Sequence, residues 1–186
     1  ILWEVDENPF ASPQATQLGA VDLEVPIREL FVSDDAEFPV LAFDTEGFAY
    51  LVDFTTDGVD VLEPPDEFVD ATVNEGITVF AGITADGELN VYDIDDRFGF
   101  TAGPTTSVDP ADMTDLIVSP DGTFVAWGVG SELFVWSSLD GAAPQRVDLG
   151  DALSLATVAA GAFGPDDDPD RAVVAVGMDD GSVIVT

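Results

Sequence analysis

The stretch from Leu116 to Trp136, LIVSPDGTFVAWGVGSELFVW, constrains the fold more than any other part of the chain. It reads as three β-strands joined by two tight turns. Leu116, Ile117 and Val118 form an apolar run. Ser119-Pro120-Asp121-Gly122 then makes a four-residue turn, because Pro presets φ at the second position and Asp and Gly accept the angles that follow. Thr123 to Trp127 is a second run of β-branched, small and aromatic residues suited to a pleated surface. The chain turns again over Gly128 to Ser131, and Glu132 to Trp136 is the third strand.

The pattern recurs. Arg28–Ser33, Pro39–Phe43, Phe48–Phe54 and Val59–Leu62 read as four strands with acidic turns between them. Phe68–Val73, Ile77–Ile83, Glu88–Ile94 and a weak Phe98–Thr101 repeat the set, and Gly103–Pro110 reads as a linker. Gln145–Leu149 completes the third unit. A fourth runs from Leu153–Phe163 through an acidic insertion, Gly164–Asp170, to Arg171–Met178 and Ser182–Thr186. The turn glycines Gly47, Gly87, Gly130 and Gly181 lie 40, 43 and 51 residues apart, and the last gap holds the insertion. A period near 40–45 residues, with like strands in like places, is that of four-stranded propeller blades. The expected fold is therefore all-β, a β-propeller of four-stranded antiparallel blades, with a sandwich or other meander as the alternative. About four blades fall at residues 28–63, 68–101, 113–149 and 153–186. Residues 1–25, with strands at Ile1–Asp6 and Leu18–Val25, supply strands of a further or closing blade. Ile1–Asp6 reads like a third strand, so the array starts and stops in mid-blade. Either it closes a small ring of four or five blades or it is an arc of a longer propeller. The arc is the expectation, because open sheet edges invite pairing.

The blocks IVSPDGTFVAWGVGSELFVWS and AVVAVGMDDGSVIVT resemble blades of WD-repeat β-propellers. The match rests on Ser119-Pro120-Asp121-Gly122, Ala126, Gly128 and Val135-Trp136, and in part on Tyr92-Asp93 and Val52-Asp53. Ser137 stands where that family has Asp, and with no His the family's Gly-His pair is missing throughout. The resemblance covers most of residues 28–186. It implies propeller architecture, without the hydrogen-bond network that Asp and His make in the family.

Composition restricts the function classes. There are 38 Asp and Glu against 4 basic residues, a formal net charge of -34. The acids sit at turns and strand ends between hydrophobic segments, and the chain is 46% hydrophobic with 13 Phe, so this is a folded surface and not a disordered acidic tail. Such a surface repels itself at ordinary ionic strength, and molar salt cuts the Debye length to about 3 Å. All four basic residues are Arg, as in proteins of extreme halophiles. Salt cations are its expected counter-ions, and the expected compartment is a halophile cytoplasm or an extracellular or virion surface. A nucleic-acid partner is excluded for want of a basic face. No apolar run approaches 18 residues, so no membrane span is expected, and no signal peptide is visible. Without Cys or His there is no disulfide, thiolate site, Ser-His-Asp triad or imidazole metal ligand.

Few side chains invite a site reading. Asp166, Asp167, Asp168 and Asp170 lie between Pro residues in the insertion. Clustered carboxylates suit a hard cation such as Ca2+. The run lacks the D-x-[DN]-x-[DN]-G spacing and a bidentate Glu, and that favours a solvated loop. Trp127 and Trp136, on adjacent strands, pack between blades or form a ligand platform; Trp3 fits either role. Arg28, Arg97 and Arg146 pair with nearby carboxylates. The expected function is a non-catalytic scaffold binding other protein subunits, with no cofactor. The alternatives are a hydrolase or lyase using carboxylates and a divalent metal, or a carbohydrate-binding module using exposed Trp.

Overall fold

A computed structural model describes residues 2–5, 15–33, 40–53, 60–62, 65–95, 99–139, 141–149, 155–162, 172–178 and 181–185. Strands β1 (Leu2–Val5) and β2 (Ala15–Gly19) pair with each other. The first sheet is β3 (Ile27–Val32), β4 (Val40–Asp44), β5 (Ala49–Asp53) and β6 (Asp60–Leu62). The second is β7 (Asp70–Val73), β8 (Val79–Ile83), β9 (Glu88–Asp95) and β10 (Gly99–Ser107). The third is β11 (Met113–Val118), β12 (Phe124–Val129), β13 (Glu132–Ser137) and β14 (Gln145–Asp148), entered through a single 3-10 turn at Pro110–Asp112. The fourth is β15 (Leu155–Ala162), β16 (Ala172–Met178) and β17 (Val183–Val185). Every sheet is an antiparallel meander in chain order. β7 lies next to β11, and β11 next to β15, so the first strands of successive sheets stand side by side.

The period-2 alternation of strands explains why the sheets stack. Successive residues on a strand face opposite neighbours. Leu41, Phe43, Ala49 and Leu51 of the first sheet pack against Phe80, Tyr92 and Ile94 of the second. The intervening residues Ala81, Ile83, Leu89 and Val91 pack against Leu116, Val125, Trp127 and Trp136 of the third. Phe124, Ala126 and Leu133 then meet Val174, Val176 and Met178 of the fourth. Three apolar seams thus join four sheets. The first is aromatic: Phe68 meets Phe80 edge-on at 5.1 Å, and Phe100 meets Phe80 at 5.7 Å. Among the described residues the four sheets stack in series as propeller blades, as the repeat period implied.

Two sequence expectations are corrected. Leu18–Val25 is not one strand. Pairing stops at Gly19, because the Asp22 carboxylate accepts the Glu24 amide at 2.9 Å and Glu24 adopts φ 58. Residues 20–26 form instead a strap whose half-buried Val21, Leu23 and Val25 alternate with exposed neighbours. The stretch Gly103–Pro110 is not simply a linker. β10 continues to Ser107, because a bulge between Ala102 and Thr105 passes Pro104, which has no amide to donate, out of the ladder. The Thr105 hydroxyl then donates to the buried Asn90 at 2.7 Å and restores the register.

Candidate functional site

Three hydrogen-bonded anchors set the turns that carry the strands into register. At the end of β4, Asp44 is 1% exposed; one of its oxygens accepts the amides of Glu46, Gly47 and Phe48 at 2.8–2.9 Å, and the other accepts the Tyr50 hydroxyl. Asn74, after β7, accepts the amides of Thr78 and Val79 and donates across the seam to the Pro120 carbonyl at 3.2 Å. Ser119, after β11, receives the Phe124 amide and donates to Asp121 at 2.6 Å. The Asp-His network of WD repeats has no counterpart in this composition, and these short polar side chains do turn-fixing work of their own.

At the entry to the innermost strands, charged residues from three sheets approach one another. Arg28 stands at the bulge of β3, with its guanidinium 4.3 Å over the Phe43 ring, and comes within 4.0 Å of Asp70 at the start of β7. It also donates to the Val69 carbonyl at 3.4 Å. Asp115 stands at the matching bulge of β11 with φ 44. Burial pushes the Asp70 carboxyl up; the Ala71 amide and Arg28 pull it back, and Asp115 pushes it up again. Asp121 shows the opposite balance: burial raises it, but the Ser119 hydroxyl and the amide and hydroxyl of Thr123 together hold it below the usual carboxylate range. Burial and the Asp66 carboxylate push the Tyr92 phenol up. Arg146 pairs with Glu132 across β13 and β14. Arg28 and Arg146 thus meet carboxylates, while Arg97 lies outside the described residues.

The ligand-platform reading of Trp127 and Trp136 is corrected. Both are buried in the seam between the second and third sheets, at 3% and 1% exposure. Trp127 stacks on Phe134 at 5.5 Å, and the Trp136 indole donates to the Ala142 carbonyl at 2.6 Å. Asp166, Asp167, Asp168 and Asp170 lie outside the described residues. Among the described residues, no three Asp or Glu converge as a cation site, and no helix is long and apolar enough to cross a membrane.

The feature that sequence reading missed is on the first sheet. Leu30 and Val32 are 58% and 57% exposed, and with Val40, Ala42 and Val52 they line an apolar groove under the 20–26 strap. Ladder pairing identifies their counterparts. Val32 pairs Val40, which pairs Val52; Val73 pairs Phe80, which pairs Tyr92; Val118 pairs Val125, which pairs Trp136. Leu30, Ala71 and Leu116 are likewise equivalent, opposite Ala42, Gly82 and Trp127. The second and third sheets turn this face to a preceding sheet. A comparison of repeats by ladder position, and not by turn glycine, would have exposed it.

No protein-family model matches the sequence, and no curated protein matches it. Solved structures do. The β-propeller domain of Myceliophteria thermophila Cps50 (Swd1) superposes with a TM-score of 0.65 at 14% identity, over 98% of this chain and 61% of that one. Kluyveromyces lactis Hsv2 superposes with a TM-score of 0.65 at 13% identity, over 89% of this chain and 50% of that one. The chain therefore spans between half and about three fifths of the length of these relatives. The likeness establishes the fold: a β-propeller.

Proposed function

We propose that the chain is a non-catalytic propeller scaffold of WD-repeat type that binds other protein subunits, as part of a larger assembly in a high-salt organism. The observation that carries this reading is the uncovered apolar face at Leu30 and Val32, on a chain whose net charge is -34. Apolar area of this kind on an otherwise acidic surface marks a protein contact. Stacked sheets with short turns supply a rigid frame, and propeller neighbours agree with that frame. The acidic surface fits a salt-rich medium, in the cytoplasm or outside the cell.

Cross-linking tests the reading. The chain has no Lys, so a carboxylate-reactive linker is needed. In molar KCl extract, inter-protein links to the described sheets are expected, and no turnover of ester or glycoside substrates. Chelator-sensitive turnover together with an absence of links would sink the scaffold.

A further inference from the structure

We propose that the free edge of β10 is a self-association site, on which a second copy of the chain pairs antiparallel about a two-fold axis at Thr106. Such a dimer goes beyond the scaffold reading and needs no foreign subunit.

The three four-stranded sheets end on β6, β10 and β14. A free edge offers amides and carbonyls to another chain, and edge strands that are short or charged discourage this. β6 has three residues and carries Asp60; β14 has four and carries Arg146 and Asp148. β10 has nine residues and no charge, and the sequence holds none over residues 98–108, in a chain with 38 acids. β2 and β17 are uncharged too, but they belong to sheets of two and three strands and serve as controls. Pro104 at the bulge guards the middle of β10. It packs beside Gly141 of the β13–β14 loop, where an added Cβ would stand 3.3 Å away, and it leaves residues 105–107 open.

The ladder fixes which backbone groups face outward. The Val108 amide donates to the Gly87 carbonyl at 2.9 Å, and Ser107 stands opposite Glu88. Alternation then turns the N–H and C=O of Ser107, and of Thr105 two residues back, away from β9. Both residues are exposed, and among the described residues β10 pairs with β9 alone. Thr105 of one copy against Ser107 of the other, taken twice, makes four main-chain hydrogen bonds around Thr106 and joins two four-stranded sheets into one of eight. An antiparallel edge is its own complement, as a two-fold interface requires. A second copy brings the same net charge of -34, so its approach is easiest where acids are absent. On the strand itself the nearest acid is Asp109, and its two copies would stand roughly 20 Å apart, against a Debye length of about 3 Å in molar salt. Leu139, 75% exposed on the loop that meets Pro104, adds apolar area beside the edge.

Sedimentation equilibrium of the full chain in molar KCl, with amide hydrogen exchange at low-micromolar and near-millimolar chain, tests the dimer. A monomer–dimer equilibrium is expected. The Thr105 and Ser107 amides should exchange roughly tenfold more slowly at the higher concentration, while β2, β6, β14 and β17 stay unchanged. Ser107→Pro removes an outward amide and leaves the bonds to β9 in place, so it should weaken dimerisation roughly tenfold. A chain that stays monomeric near millimolar concentration, with exchange at Thr105 and Ser107 independent of concentration, overturns the proposal, and this readout on the parent chain decides even where Ser107→Pro does not fold. Self-association that survives Ser107→Pro, or that protects β2, β17 or the Leu30 face in place of β10, overturns it as well.

Discussion

Gly47 and Phe68 lock the first sheet to the second. The Phe68 amide donates to the Gly47 carbonyl, and the Phe68 carbonyl occupies the space that a side chain on Gly47 would need. The next seam repeats the device, with the Val108 amide donating to the Gly87 carbonyl at 2.9 Å. A turn at the end of one blade's second strand thus fixes the entry of the following blade.

Gly47→Ala combines a φ of 101 with a backbone clash. It should cost roughly 3 kcal/mol and lower Tm by about 6–12 °C. Gly130→Ala is the control. Its φ is 61 with no neighbour within 4 Å, so only backbone strain of about 1 kcal/mol is expected. Thermal unfolding in concentrated KCl compares the two. Equal losses would show that the seam contact contributes nothing.

Asp44→Ala removes the acceptor of three backbone amides. A loss of about 2–4 kcal/mol is expected in denaturant unfolding. Asp44→Asn keeps one acceptor oxygen and should lose about half as much. An alanine variant as stable as the parent would mean that water replaces the carboxylate.

Two carboxylates make opposite contributions with pH. Asp121 is held down when folded, so its stabilising effect is present above its unfolded value and is lost as pH falls through the folded one. Asp70 is held up, so its ionised form opposes folding at neutral pH, and acid relieves that opposition. Asp70→Asn should leave Tm at pH 7 unchanged or raised, and Asp121→Asn should lower it. At a pH below both carboxyl transitions the two differences should shrink. A fall in Tm for Asp70→Asn at pH 7 would show that its Arg28 contact outweighs burial.

Salt should govern folding as a whole. With a net charge of -34, circular dichroism should show structure lost as KCl drops below roughly molar levels. Recovery should follow total ionic strength. Full folding at low salt without divalent ions would contradict the halophilic reading.

The sequence by itself determined the blade repeat. Strand and turn chemistry are local: a turn such as Ser119–Gly122 needs only its own residues, and alternation along β4 or β12 needs only a pleat. It also placed Trp127 and Trp136 as candidates for burial between blades. It misread residues 18–25 and 103–107, where one carboxylate-to-amide bond at Asp22 and one bulge at Pro104 overrode the local pattern. Only the tertiary structure decided which face of each strand is covered. Leu30 and Leu116 look alike in sequence, and both lie on an innermost strand. Leu116 is buried because a sheet precedes its own, and Leu30 is open because no sheet covers it among the described residues. Burial depends on what stacks against a face, and stacking is a long-range relation that no window of sequence contains.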